Sequence, residues 1–414
     1  MSYPLTVIDP DLVPYESYPP ATRGEVVVWG FLGAYPFGGM TWQVLQHLVG
    51  LRRLGFDVWY VEESDSPVYD VSTYWQVYDV PEHNIRYLGE AMDAVGLGDR
   101  WIFRPPKVYD RCHGAARHFD DLLALYRRAR AVFNVCGAQE LLPHHDEIGG
   151  ELVYLETDPL AKQVLAAQGD EDALEILTRH NHLFTYGTNI GRPDCAIPAG
   201  TYDWHRTVPP VVVDWWARPD GEEPNRDAPL TSVANWRHRG KDISWNGQVY
   251  EWRKDLAFAP YLDLPASAPL PLELALGAIS DEERDELRAR GWRIIPSLEV
   301  GDPGPYRQYI RSSLGEFTAA KDQYTRTNSG WFSDRSVCYL AAGLPVITQD
   351  TGCGTWLPVG EGVLVFTNPD EALAAVEAVA ADPERHRAAA SAIATEYFGA
   401  ERVLGDVAAR IGLL

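Results

Sequence analysis

Cysteine is scarce in these 414 residues, and what there is does not pair up: Cys112, Cys136, Cys195, Cys338 and Cys353 are scattered and odd in number. None stands in a C-x-x-C spacing, so neither a disulfide framework nor a zinc site is indicated, and the five read as reduced thiols. Basic residues are also in short supply, 36 Lys+Arg against 59 Asp+Glu, for a formal charge of −23. That balance argues against general binding to a phosphate backbone, yet leaves room for a compact basic pocket holding one small anion. No apolar run reaches the roughly 18–20 residues that span a bilayer. The leader "MSYPLTVIDPDLVPYESYPP" has neither a basic start nor an apolar core, so the expectation is a soluble cytoplasmic protein. Three signatures are missing too. Without a spaced G-x-G-x-x-G a dinucleotide fingerprint is disfavoured, without G-x-x-x-x-G-K-[ST] there is no P-loop, and without G-x-S-x-G serine-hydrolase chemistry has no support.

What is present is globular: 46% apolar and 23% charged residues, in a chain long enough for two domains. The run "EVVVWGFLG" is the kind of short apolar segment that fills a parallel sheet. A glycine turn follows, then "TWQVLQHLVGLRRLG" with helical spacing, then the strand "FDVWYVEE", which together make one βαβ unit. Alternation continues through "DLLALYRRAR", "AVFNVCG", "ELVYLETDP" and "HLFTYGTN". The stretch "ARPDGEEPNRDAPLT" is rich in Pro, Gly and charge and reads as a linker. A second βα series begins at "TSVANW", passes through "WRIIPS", "GEFTAA" and "SDRSVCYLAAGLPVITQD", and ends in "DEALAAVEAVAADPERHRAAASAIATEYF" and a final amphipathic helix. The fold class expected is α/β, with two doubly wound Rossmann-like domains facing across a cleft. Residues 1–222 would form the first domain, 223–395 the second, and 396–414 a helix crossing back to the first. Six of the fourteen tryptophans (Trp204, Trp215, Trp216, Trp236, Trp245, Trp252) fall mid-chain, which fits an aromatic cleft wall, a domain interface or core packing.

Ligands of open parallel sheets lie beyond the carboxyl ends of the strands, so the strand-to-helix turns carry the candidates. Gly38 and Gly39 open a helix, where a phosphate can approach backbone N–H groups and the positive helix end, or where a tight turn simply needs glycine. In "RHRGKD", Arg237, Arg239 and Lys241, with His238 beside them, suit a diphosphate leaving group; a solvated basic loop is the alternative. In "GWFSDRSVCYLAAGLPVITQDTG", Ser333 is a good N-cap, and Ser333, Asp334 and Ser336 crowd the positive helix end. Arg335 in the first turn opposes the helix dipole, which favours a ligand-facing role. Thr351 and Gly352 form a further turn at the next strand end. Glu156 and Asp158 end a first-domain strand; Asp158 is the candidate base for an acceptor hydroxyl, or the N-cap before Pro159. His180 and His182 read as structural.

Two of these segments carry a resemblance. "GAYPFGGMTWQVLQHLVGLRRLGFDVWYVE" looks like the amino-terminal signature of the GT-B glycosyltransferases, and "GWFSDRSVCYLAAGLPVITQDTG" resembles their donor-site run E-G-F-x-x-x-x-x-E-A-x-A-x-G-x-P-V-I. The resemblance implies a sugar transfer from a nucleoside-diphosphate sugar, as co-substrate, to an acceptor hydroxyl on a small molecule, glycan or modified base. It implies no cofactor and no metal, the basic residues and helix dipole doing that work. Gly330 and Cys338 stand where retaining members have two glutamates, so the stereochemistry does not carry over, and Asp334 or Arg335 would take part of that role. The donor-binding set expected is Gly38, Gly39, Arg237, Lys241, Ser333, Asp334, Arg335, Ser336, Thr351 and Gly352. Two other readings stay open: a nucleotide-sugar epimerase or phosphorylase on the same fold, and a non-catalytic nucleotide-sugar-binding protein. Nucleic acid is disfavoured as a partner, though DNA with a modified base is an admissible acceptor, and the oligomeric state is left open.

Overall fold

The computed structural model describes residues 18–218, 225, 227–238 and 240–414. An eight-stranded sheet builds the first half of the chain. From edge to edge it runs Trp204–Arg206, His182–Thr185, Glu151–Glu156, Ala131–Val135, Glu25–Trp29, Asp57–Glu63, Trp101–Arg104 and His113–Gly114. All pairings are parallel except the last. A six-stranded, fully parallel sheet builds the second half, in the order Arg293–Pro296, Leu272–Gly277, Leu230–Asn235, Gly315–Thr318, Val346–Gln349, Val363–Phe366. In each sheet the first strand is central and the chain winds outward first one way, then the other. Such a reversal leaves a crevice where the connecting loops part to opposite faces.

The central strand of the first sheet is apolar from Val26 to Trp29, all four residues being fully buried, as a strand covered by helices on both faces requires. The loop after this strand is fixed by Glu62, whose buried carboxylate accepts from the amides of Gly33 (2.8 Å) and Ala34 (2.5 Å) and from the Tyr60 hydroxyl (2.6 Å). Burial raises the Glu62 carboxyl to about 7. Helix Gly38–Arg53 follows. The helical run expected from Asp370 onward is two helices, Pro369–Ala381 and Pro383–Ile393: Pro383 pushes Asp382 out of helical geometry, to φ −143° and ψ 70°. Helix Ala400–Arg410 packs back on Gly38–Arg53, where Arg53 pairs with both Asp214 (2.7 Å) and Glu401 (3.2 Å).

Two short hairpins carry no clear strand periodicity and stand apart from both sheets: Val68–Asp70 with Trp75–Val77, and Ile243–Trp245 with Gln248–Tyr250. The linker read between the domains falls largely on residues 219–224 and 226, outside the described residues. No helix among the described residues is long and apolar enough to cross a membrane.

Candidate active site

The loops at the carboxyl ends of both central strands line one cleft of about 1820 Å³. Pockets for one small ligand span roughly 300–1,000 Å³, so this cleft has room for two molecules.

Its second-domain wall is cationic. Lys241, Lys254, Lys321 and Arg335 all line it, with His238. Lys321 is fixed by the ring of Trp252 (3.0 Å from Nζ to the centroid), with Lys241 over the same ring at 4.8 Å. Lys254 donates to the carbonyl of Ala319. Burial, then the neighbouring cations, push Lys254 well below the usual lysine range, and burial lowers Lys321 to about 8. Arg335 is anchored at three points: Nε to Glu316 Oε1 (2.6 Å), Nη1 to the Val233 carbonyl (2.7 Å) and Nη2 to Thr318 Oγ1 (3.1 Å). A guanidinium has five N–H donors, so two remain for the cleft. Burial opposes its charge, but Glu316 outweighs that and holds Arg335 fully protonated.

Asp334 and Ser333 line the cleft at the start of helix Asp334–Ala341, where Ser333 Oγ accepts from the Arg335 amide at 3.2 Å. Burial raises the Asp334 carboxyl. Asp158 lines the cleft from the first domain, half exposed, accepting from the Tyr324 hydroxyl through Oδ1 and standing 3.8 Å from Lys321 Nζ. Tyr324 is held by Trp331, whose ring stacks on it at 4.1 Å.

Several expected positions turn out otherwise. Arg237 does not line the cleft; it pairs with Glu283 (2.6 Å) and Asp255 (3.7 Å). Arg239 lies outside the described residues. Ser336 points beneath the site, donating to Glu316 Oε2 at 2.5 Å. Thr351 donates to the Trp331 carbonyl at 2.5 Å. Gly352, with φ +82°, accepts through its carbonyl from Asn189 of the first domain. This turn binds the other domain rather than a ligand, because Asn189 also donates to the Asn328 carbonyl and accepts from Thr355. Gly38 and Gly39 do line the cleft, but the Gly38 amide is already bound to the Gly301 carbonyl at 2.6 Å. A Cβ on Gly38 would meet the Asp302 carbonyl oxygen at 2.8 Å. The glycines therefore admit the second domain to close range. Glu156 is buried under the cleft floor, accepting from Thr185 and Gln163, and burial lifts it to about 8. His180 is structural, bonded through Nδ1 to Ile176 and lowered to about 4 by burial.

Among the described residues one cluster has metal-ligand spacing, Glu63 with His144 and His145. Its carboxylate is already satisfied by Arg104 Nε (3.0 Å), the Tyr126 hydroxyl and both imidazoles. Arg104 fills the cation's place, so the cluster is a buried ion pair.

Residues 299–407 match the family model described as "Glycosyl transferase-like". No curated protein matches the chain in sequence. Among solved structures, HepE of Anabaena in complex with UDP-glucose superposes with a TM-score of 0.53 at 11% identity, covering 94% of this chain and 100% of that one. AviGT4, a glycosyltransferase involved in avilamycin A biosynthesis, gives 0.52 at 14%, covering 94% and 96%. An alpha-glucosyltransferase in complex with UDP and a 13-mer DNA containing an HMU base gives 0.54 at 11%, covering 94% and 99%. The chain has the GT-B fold, and its residues 299–407 resemble a glycosyltransferase-like family. The matched family segment contains the helix start at Ser333 to Arg335, and leaves Lys241 and Lys254 upstream of it. Lys254, Lys321 and Glu316 escaped the sequence reading. The one signal for Lys321 was its place directly after the strand segment "GEFTAA".

Proposed function

We propose that the donor nucleotide sugar lies on the second domain with its diphosphate among Lys241, Lys254, Lys321 and Arg335. The observation that carries this reading is a cluster of cations on one wall in which burial lowers Lys254 and Lys321 more than Glu316 and Asp158 raise them, so that both gain from a bound anion. A bound diphosphate reverses that cost and gains as its leaving oxygen takes on charge. Four fixed cations serve as a divalent ion would, so transfer is read as metal-independent, with activity retained in chelator. Asp334 would take donor-sugar hydroxyls. Asp158 would receive the proton of the acceptor hydroxyl through Oδ2, its Oδ1 being held by Tyr324. A cytoplasmic setting fits the five free cysteines.

Thermal shift and calorimetry with nucleoside diphosphates test the donor site. Lys241→Ala and Lys321→Ala each weaken binding about ten-fold or more; unchanged affinity in both would refute it. Asp158→Asn leaves donor affinity intact and lowers kcat, and a wild-type kcat would remove it as the base.

A further inference from the structure

The first-domain wall of the cleft differs from the donor wall in two ways. It is aromatic: the hairpin Val68–Asp70 with Trp75–Val77 sets Tyr69, Tyr74 and Trp75 on the cleft, beside Tyr35. Trp75 is 74% exposed and Tyr74 50%. The hairpin is nonetheless tied down by hydrogen bonds. Asp70 accepts from the Ser72 amide and hydroxyl and from Thr73, and stands 3.2 Å from His83. The Tyr69 amide is bonded to the Ala34 carbonyl (2.8 Å), Tyr35 stacks on Tyr69, and Gln76 donates to the Tyr35 hydroxyl (3.0 Å). Tyr74 itself sits at φ +63°, where a bulky residue seldom rests without a reason in the surrounding structure.

The wall is also acidic. Glu140, Asp158, Asp172 and Glu175 line it, Glu175 being paired with Arg179 at 2.7 Å. Of the first-domain cations there, Arg104 is already paired with Glu63 and Asp65, which leaves Lys162.

We infer that this wall is the acceptor site and that it takes a saccharide carrying no negative charge. The inference rests on the chain's transferring a sugar, as read above. A sugar ring offers an electropositive C–H face to the electron-rich face of Tyr or Trp, and its hydroxyls donate to carboxylates. Phosphorylated or polynucleotide acceptors would set their anionic groups against the carboxylates. In the transfer the acceptor hydroxyl oxygen bonds to the anomeric carbon of the donor, the bond from that carbon to the diphosphate oxygen breaks, the hydroxyl proton goes to the cleft carboxylate, and the nucleoside diphosphate leaves with the bonding pair.

The test applies the full chain to an array of immobilised neutral, amino, uronic and sulfated glycans with single-stranded and duplex oligonucleotides, while nucleoside-diphosphate binding is followed by thermal shift. Neutral or amino glycans are retained, about ten-fold more weakly by Trp75→Ala, with most of the loss restored in Trp75→Tyr and nucleotide binding unchanged. Retention confined to anionic glycans or nucleic acid, no retention at all, or equal retention by Trp75→Ala overturns the inference. Failure of the wild-type chain to bind any nucleoside diphosphate strikes the donor reading instead, so the two fail separately.

Discussion

Arg335 is 16% exposed, and its partner Glu316 is wholly buried with one oxygen on Arg335 and the other on Ser336. Removing the guanidinium strands a carboxylate in the core, which costs about 3–5 kcal/mol. Arg335→Ala is therefore expected to lower the Tm as well as donor affinity. Adding Glu316→Gln should recover most of the Tm and none of the affinity, and melting curves with nucleotide titrations separate the two effects. Lys321 gives a pH signature. Its free-state value of about 8, depressed by burial, means that the proton a diphosphate needs is lost as pH rises through 8. Donor affinity should fall between pH 7 and 9 and stay nearly level in Lys321→Arg, as calorimetry across that range would show. The helix start at Ser333 was legible because an N-cap and an out-of-place arginine are local signals. Lys254 and Lys321 were not, since "WRKD" and "AAKD" look like solvated charges until the chain packs Trp252 and the strand ends around them.

Helices and buried strands could be read from periodicity because each buries one stripe or both faces of an apolar run. The hairpins at Val68–Val77 and Ile243–Tyr250 could not, being three-residue strands too short to show an alternation although Val68 and Tyr250 are buried in cores. Glycine turns were the ambiguous case. Thr351-Gly352 and Gly38-Gly39 have the composition of ligand loops, yet the first pair docks Asn189 and the second admits the segment from Gly301 to Tyr306. Which service a glycine performs depends on the other domain's position, and no local pattern encodes that. Gly38→Ala tests the point. Alanine favours a helix by up to about 1 kcal/mol, but here its Cβ would press on Asp302 and on Tyr306 Cβ at 3.0 Å. The expected result is retained nucleotide binding, because the cations lie on the second domain, with kcat reduced about ten-fold by misplacement of the two walls. Weakened nucleotide binding with normal kcat would return Gly38 to a phosphate role.

At the scale of the whole molecule, the sequence order of two βα series was enough to foresee two facing sheets, since a parallel sheet with one central first strand has few ways to close. The division of charge was not foreseeable: a net −23 says nothing about which wall keeps the cations. Folding sorts them, with Lys241, Lys254, Lys321 and Arg335 facing Asp158, Asp172 and Glu175 across one cleft. Such a cleft focuses positive potential on its donor side while the acidic body around it repels the same anion at long range. Salt then acts differently on the two substrates. Raising NaCl from 50 to 500 mM shortens the screening length from about 14 Å to about 4 Å, so nucleoside-diphosphate affinity should drop about five-fold, less than for an exposed site because Lys254 and Lys321 are enclosed. A neutral saccharide bound by ring stacking and hydrogen bonds loses no long-range attraction over that range, and its affinity should change less than about two-fold. Titration of both ligands at the two salt concentrations decides the matter: parallel losses would mean that the acceptor, too, is held by charge, and that the acidic wall does not select against anions.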